Sequence, residues 1–186
     1  DYHTYAFGYL EALTEQVKNN PDVIRNVRIS QSLLREAHIQ EPNNFLVLNK
    51  LALNLINSGV FLAEDHVVEI KELIRQLQQV APNRAETHRI VAVNAFVLKD
   101  YVTARVSMET SLKLEPNNPR NLWLAAQINK AASFEPEAFA YAMKAFRLGY
   151  TPRSLSSMTW VIQDSSKYGT KEENDLVAKV ANQIAN

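Results

Sequence analysis

The chain has 186 residues, enough for one domain of ordinary size, and its 46% apolar and 22% charged content is that of a folded globular protein. Twenty Lys and Arg balance twenty Asp and Glu, so no global field draws the chain to nucleic acid or to an anionic membrane. There is no Cys and there are only four Gly, which excludes disulfides, thiolate metal sites, a Cys nucleophile and Gly-rich phosphate loops, and speaks against a turn-rich β protein.

No basic leader or apolar core opens the chain at Asp1-Tyr2-His3-Thr4-Tyr5, and no stretch reaches the roughly 18 apolar residues of a membrane span. A water-soluble segment is expected, cytoplasmic or periplasmic. The absence of an initiator Met suggests a fragment or processed form, compatible with a piece of a membrane-anchored protein.

In chain order, turns rich in Pro and Asn separate stretches of helical periodicity. Asn20-Pro21, Glu41-Pro42-Asn43-Asn44, Ala81-Pro82-Asn83, Glu115-Pro116-Asn117-Asn118-Pro119, Glu135-Pro136 and Thr151-Pro152 each read as a helix stop or as an Asn or Thr cap followed by Pro in the first turn. Between them, 85–98 carries Ile90, Val91, Ala95 and Leu98 at three- and four-residue spacing. Ala104, Met108, Ser111 and Leu112 do the same in 101–114, and Ala138, Ala142, Ala145 and Phe146 in 138–148. No segment alternates with period two. About nine or ten helices joined by short turns are expected.

The punctuation is periodic. Glu41-Pro42-Asn43-Asn44 recurs as Glu115-Pro116-Asn117-Asn118, and Pro82 to Pro116 is a step of 34 residues. Pro42 to Pro82 is longer by six, which places an insertion near Ser58–Asp65, with the apolar run Val60, Phe61 and Leu62 inside it. A 34-residue period holding two helices is the length of a tetratricopeptide unit. Along 85–118 stand His88, Val91-Ala92, Ala95, Ala104, Met108, Ser111 and Pro116. Along 119–152 stand Leu122, Ala125-Ala126, Asn129, Ala138, Ala142 and Ala145. Small residues at these places let two helices approach closely. With the Lys99-Asp100-Tyr101 turn, they make the chain resemble the tetratricopeptide repeat (TPR) family, in divergent form, since the large first residue and the Gly after it are missing.

The resemblance implies an all-α, right-handed superhelical solenoid of antiparallel helix hairpins. Its units are approximately 2–44, 45–84, 85–118 and 119–152, with a divergent C-terminal cap at 153–186. It also implies that the first helix of each unit faces a concave groove. Carried onto this chain, the groove positions are Leu46, Asn49, Leu53, Ile56 and Asn57; Glu86, Arg89, Val93, Phe96 and Val97; and Arg120, Trp123, Gln127, Lys130 and Ala131. Apolar anchors beside Arg, Asn and Gln suit a peptide or helix of a partner protein. Phe96 and Trp123 could equally cover the core. The carboxylate-clamp pattern of some family members is not reproduced, because Asn49 is followed by Leu53 and Arg89 by Val93.

No catalytic constellation stands out. His3, His38, His66 and His88 are scattered, no metal-ligand spacing occurs, and no cofactor is expected. The acidic groups Glu64-Asp65 with Glu69, and Glu172-Glu173 with Asp175, read as helix-start charges rather than acid/base pairs. The basic residues are too dispersed for a nucleic-acid patch. The expected function is a non-enzymatic protein-interaction scaffold. The rival is the TPR tail of a larger membrane-associated bacterial protein, a glycan polymerase or ligase or a secretion or pilus assembly component, that positions a partner. Self-association through the terminal hairpins is also allowed.

Overall fold

The computed structural model describes residues 20–62 and 65–185. Within them, nine helices and no strand follow one another: α1 (Pro21–Gln40), α2 (Phe45–Leu62), α3 (Val67–Val80), α4 (Ala85–Val97), α5 (Tyr101–Leu114), α6 (Pro119–Ala131), α7 (Glu135–Arg147), α8 (Leu155–Tyr168) and α9 (Lys171–Ala185). Helix α2 pairs with α3, α4 with α5, α6 with α7, and α8 with α9. Each pair then packs on the next, and α1 packs on α2. The result is an all-α helical-repeat solenoid. The expected first helix, within 2–19, lies outside the described residues.

The repeated Glu-Pro-Asn-Asn motif has a local mechanism. At the start of α2, the Asn44 side chain accepts hydrogen bonds from the N–H groups of Leu46 (2.9 Å) and Val47 (3.3 Å), and its amide donates back to Glu41. At the start of α6, Asn118 accepts from Arg120 (3.1 Å) and Asn121 (3.2 Å) and donates to Glu115 (2.8 Å). One side chain thus satisfies two orphan donors while a second ties the turn to the helix before it. Pro119 at the first turn of α6 loses nothing, since its N–H would be unpaired there anyway.

The other ends are closed by left-handed residues. Lys99 (φ 61°) follows α4, Ser133 (φ 64°) follows α6 and Gly149 (φ 84°) follows α7. In each case the next N–H reaches back to a carbonyl five residues earlier, Asp100 to Ala95, Phe134 to Asn129 and Tyr150 to Ala145. Lys99 and Ser133 are again 34 residues apart, so the period is written in backbone conformation as well as in sequence.

Small residues sit where helices cross. Ala92, Ala104, Ala126, Ala138, Ala142 and Ala145 are all fully buried. Hydroxyl and amide groups stitch successive pairs together: Ser111 Oγ donates to the carbonyl of Ala85 (2.8 Å) and accepts from Asn121 Nδ2 (3.3 Å). Two ion pairs join equivalent positions one repeat apart. Arg35 of α1 grips Glu69 of α3 through two bonds of 2.8 Å, and Lys130 of α6 reaches Asp164 of α8 at 2.7 Å.

Of the region read as an insertion, residues 58–62 continue helix α2. Helix α2 runs on to Leu62, and Ser58 is buried, accepting a 2.7 Å bond from Gln31 Nε2 of α1. The side chains of residues 60–62 lie outside what is described. The acidic residues near helix starts act as caps or clamps. Asp65 accepts from the N–H of Val67 (3.0 Å), and Glu173 forms a reciprocal capping box with Thr170. No helix among the described residues is long and apolar enough to cross a membrane.

Candidate functional site

The first helices of successive pairs, α2, α4 and α6, carry the residues expected to face a partner. On α2, Leu46 is open to solvent, Leu53 is half-buried against the aliphatic core, and Asn49 is buried. On α4, Glu86, Arg89, Val93 and Phe96 are all half-exposed. Val93 leans on the aliphatic core and Phe96 on the aromatic one, its ring 6.1 Å from that of Tyr101. On α6, Arg120 is exposed and Gln127 half-exposed.

Three expected contacts are corrected by burial. Trp123 retains 5% of its surface and stacks with Phe146 (5.6 Å), Tyr150 (5.5 Å) and Trp160 (6.0 Å). Its indole is the centre of an aromatic pile between the 119–152 pair and the last one, so it covers core rather than offering an anchor. Lys130 has a side chain only 6% exposed; its ammonium bonds Asp164 (2.7 Å) and Glu135 (3.2 Å) and lies 5.6 Å from the Trp160 ring centroid. A buried ammonium must be compensated internally, and this one is. Asn49 is 8% exposed and has little to give a partner.

Two residues that sequence reasoning passed over complete the accessible surface. Tyr150 follows the left-handed Gly149 and stacks on Trp123, its phenol pushed up by burial while the charges of Arg153 and Arg120 pull it back. Arg153 precedes α8 and is exposed. Arg89 is held below the ordinary arginine value by burial, with Arg120 acting in the same direction and Glu86 and Glu115 opposing it. The signal for Tyr150 was its place at the end of a repeat where Pro is usual. The signal for Asp164 was its 34-residue distance from Lys130.

Elsewhere several cations are paired. Arg25 meets Asp22 (3.1 Å), Arg75 meets Glu72 (2.6 Å), Arg147 meets Glu173 (2.8 Å), and Lys167 meets Glu135 (2.9 Å). Arg89, Arg120 and Arg153 have no carboxylate within ion-pair distance among the described residues. Two surface depressions are lined by other residues. One is lined by α1 residues including Ile24, Arg28 and Ile29; the other lies between α1 and α3 and is lined by His38, His66, Glu69 and Glu72. Among the described residues, no group of three or more His, Asp or Glu is arranged to hold a metal ion.

The architecture defines a class: a TPR-like, all-helical repeat protein. Comparison with solved structures gives the class a particular likeness, to MamA, itself an all-helical TPR-like protein. One crystal structure of MamA superposes with a TM-score of 0.60 at 12% identity, covering 89% of this chain and 93% of that one. A second gives 0.59 at 13% identity, with 95% and 92% covered, and a MamA RS-1 ArsTM double mutant gives 0.60 at 13%, with 96% and 92% covered. Identities this low speak for the fold and not for a shared role. No protein-family model matches the sequence, and no curated protein matches it as a relative.

Proposed function

We propose that this chain is a non-enzymatic scaffold that holds an extended peptide or a helix of a partner protein along the face built by α2, α4 and α6. The supporting observation is the register of that face. Leu46, Leu53, Val93 and Phe96 leave apolar surface partly uncovered, and Glu86, Arg89, Arg120 and Gln127 stand among them with polar heads accessible. Partly buried apolar groups beside Arg are what a protein interface uses for affinity and register. Helices locked by caps and cross-repeat bonds present these groups already ordered, so binding costs little conformational entropy on this side.

Site-specific photo-crosslinking tests the reading. A crosslinker at Leu46, Val93 or Gln127 should capture a partner polypeptide, while one at Val102, 76% exposed on α5, should not. Capture from Val102 alone would move the binding face to the other side of the solenoid and end this proposal.

A further inference from the structure

Helices α1 and α5 hold the same place in their repeats, since Glu41-Pro42-Asn43-Asn44 follows one and Glu115-Pro116-Asn117-Asn118 the other. That register sets Ser30 against Ala104, Leu34 against Met108, Ala37 against Ser111 and His38 against Leu112. The four residues of α5 are buried, because α4 lies along one flank of that helix and α6 along the other. Two contacts mark the flank that α4 covers. Ser111 Oγ donates to the carbonyl of Ala85 at 2.8 Å, and the Tyr101 ring lies 6.1 Å from that of Phe96. The four counterparts on α1 are only half-buried.

One flank of α1 is occupied. Gln31 donates to Ser58 and Ser30 accepts from Asn54, both of α2, and Arg35 donates to Glu69 of α3. Among the described residues, no helix packs along the opposite flank. There Ile29, Leu33 and Ala37 stand one above another at four-residue steps, with Ile29 50% and Leu33 61% exposed. On α5 the positions of Ile29 and Leu33 carry Thr103 and Ser107, which water can solvate. Large apolar side chains where a later repeat is polar favour a cover. The far end of the stack is finished differently: the outer face of α9 exposes Glu172, Asp175, Lys179 and Asn182, as a terminal helix requires.

We infer that residues 2–19 of this chain cover the open flank of α1, as a helix antiparallel to it that presents Tyr2, Ala6, Tyr9, Leu13 and Val17 to Ile29, Leu33 and Ala37. Three observations select this occupant over a second molecule. The five residues recur at steps of three and four, with Thr4, Glu11, Glu15 and Lys18 on the opposite side of the same helical projection. The segment joins α1 at Asn20, whose side chain accepts from the N–H groups of Asp22 (3.1 Å) and Val23 (3.4 Å), so it enters at the first turn with no long connection to close. Its reach is sufficient: as a helix it would span about 27 Å, and Ala37 lies about 26 Å along α1 from Asn20. The inference concerns the end of the solenoid and does not depend on the partner face proposed above.

Because the chain has no Cys, an introduced thiol reports this cover directly. In the whole chain, Leu33→Cys should react with a thiol reagent roughly tenfold more slowly than Val102→Cys, an exposed site on α5, because its cover must open first. The protection should be independent of protein concentration, and adding Tyr9→Glu with Leu13→Glu should bring the two rates together. Under mild oxidation, Tyr9→Cys with Leu33→Cys should form a disulfide within one chain, and Glu11→Cys with Leu33→Cys should not. The disulfide pairs decide the matter if the doubly charged variant melts early. Equal rates for Leu33→Cys and Val102→Cys in the otherwise unaltered chain would overturn the inference. So would protection that Tyr9→Glu with Leu13→Glu leaves in place, or disulfides formed equally by both pairs. Protection lost on dilution, with a dimer seen by sedimentation, would overturn it in favour of a second copy on this flank. None of these results bears on the face built by α2, α4 and α6.

Discussion

The two ends of the described solenoid solve the same packing problem with different side chains. Around α2 and α3 the core is aliphatic and bulky: Leu48, Leu51, Leu55, Ile70, Leu73 and Leu77, joined by Ile90 of α4. From α4 onward it is made of alanines and large rings, with Ala104, Ala126, Ala138, Ala142 and Ala145 beside Trp123, Phe139, Phe146 and Trp160. Branched aliphatic residues fill a gap between helices held apart. Alanine lets backbones approach, and a few large rings then fill what remains between layers. Helix α4 belongs to both regimes, giving Ile90 and Val93 to one side and Ala92, Ala95 and Phe96 to the other.

The sharpest way to break this comparison lies at the junction of the last two pairs, where the aromatic region also buries charge. Lys130→Met should cost about 3–5 kcal/mol, because Asp164, with a side chain 9% exposed, would keep its charge without its partner. Chemical denaturation of the wild type and variant measures this, and Lys130→Met with Asp164→Leu should recover most of the loss. In the aliphatic region, truncation is the damaging change: Leu51→Ala, at a fully buried site, should cost about 2–5 kcal/mol. In the alanine region, enlargement is: Ala142→Leu should cost about 1–3 kcal/mol through overpacking. Thermal melts of these variants would erase the contrast if the two regions tolerated the reverse changes equally.

Acid should act locally. Hydrogen bonds from Lys167, Tyr168 and Lys130 hold the Glu135 carboxyl down at about 2, against an ordinary 4.5. Its folded value lies below its unfolded one, so its contribution is present in full above about 4.5 and fades as pH falls toward 2. Hydrogen exchange across that window should loosen α8, which carries Asp164, Lys167 and Tyr168, and α3, whose Glu69 and Glu72 carboxyls are likewise held low by Arg35 and Arg75, before α2. The smallest effect is a gain. Lys99→Gly and Ser133→Gly should each stabilise by up to about 1 kcal/mol, since each relieves a side chain held in left-handed backbone, less the freedom glycine adds to the unfolded chain. Differential scanning calorimetry would show this, and a loss in either variant would mean that the side chain itself contributes at that turn.

Much of this architecture was legible in the chain. The turn motif Glu-Pro-Asn-Asn announced its capping role because every partner lies within a few residues, and the helices over 85–97 and 101–114 follow from local spacing, with the Asp100 cap at the start of the second. The face toward a partner was only half legible. Arg89, Val93, Phe96 and Arg120 keep accessible surface at the expected register, whereas Trp123, Lys130 and Asn49 do not. Nothing near Trp123 in sequence reveals that Trp160, in the next pair, will close over it. Nor does anything beside Lys130 show that Asp164 will neutralise it.

By itself the sequence determined the number of helices per repeat, the 34-residue period, the position of nearly every turn and the requirement for alanine at the crossings, because caps, prolines and helical spacing act over a few residues. Which side chains on the shared face stay open was decided only when one pair settled on the next. Burial and charge compensation between repeats depend on residues some thirty positions apart, and their distance in space is fixed by the stacked helices alone.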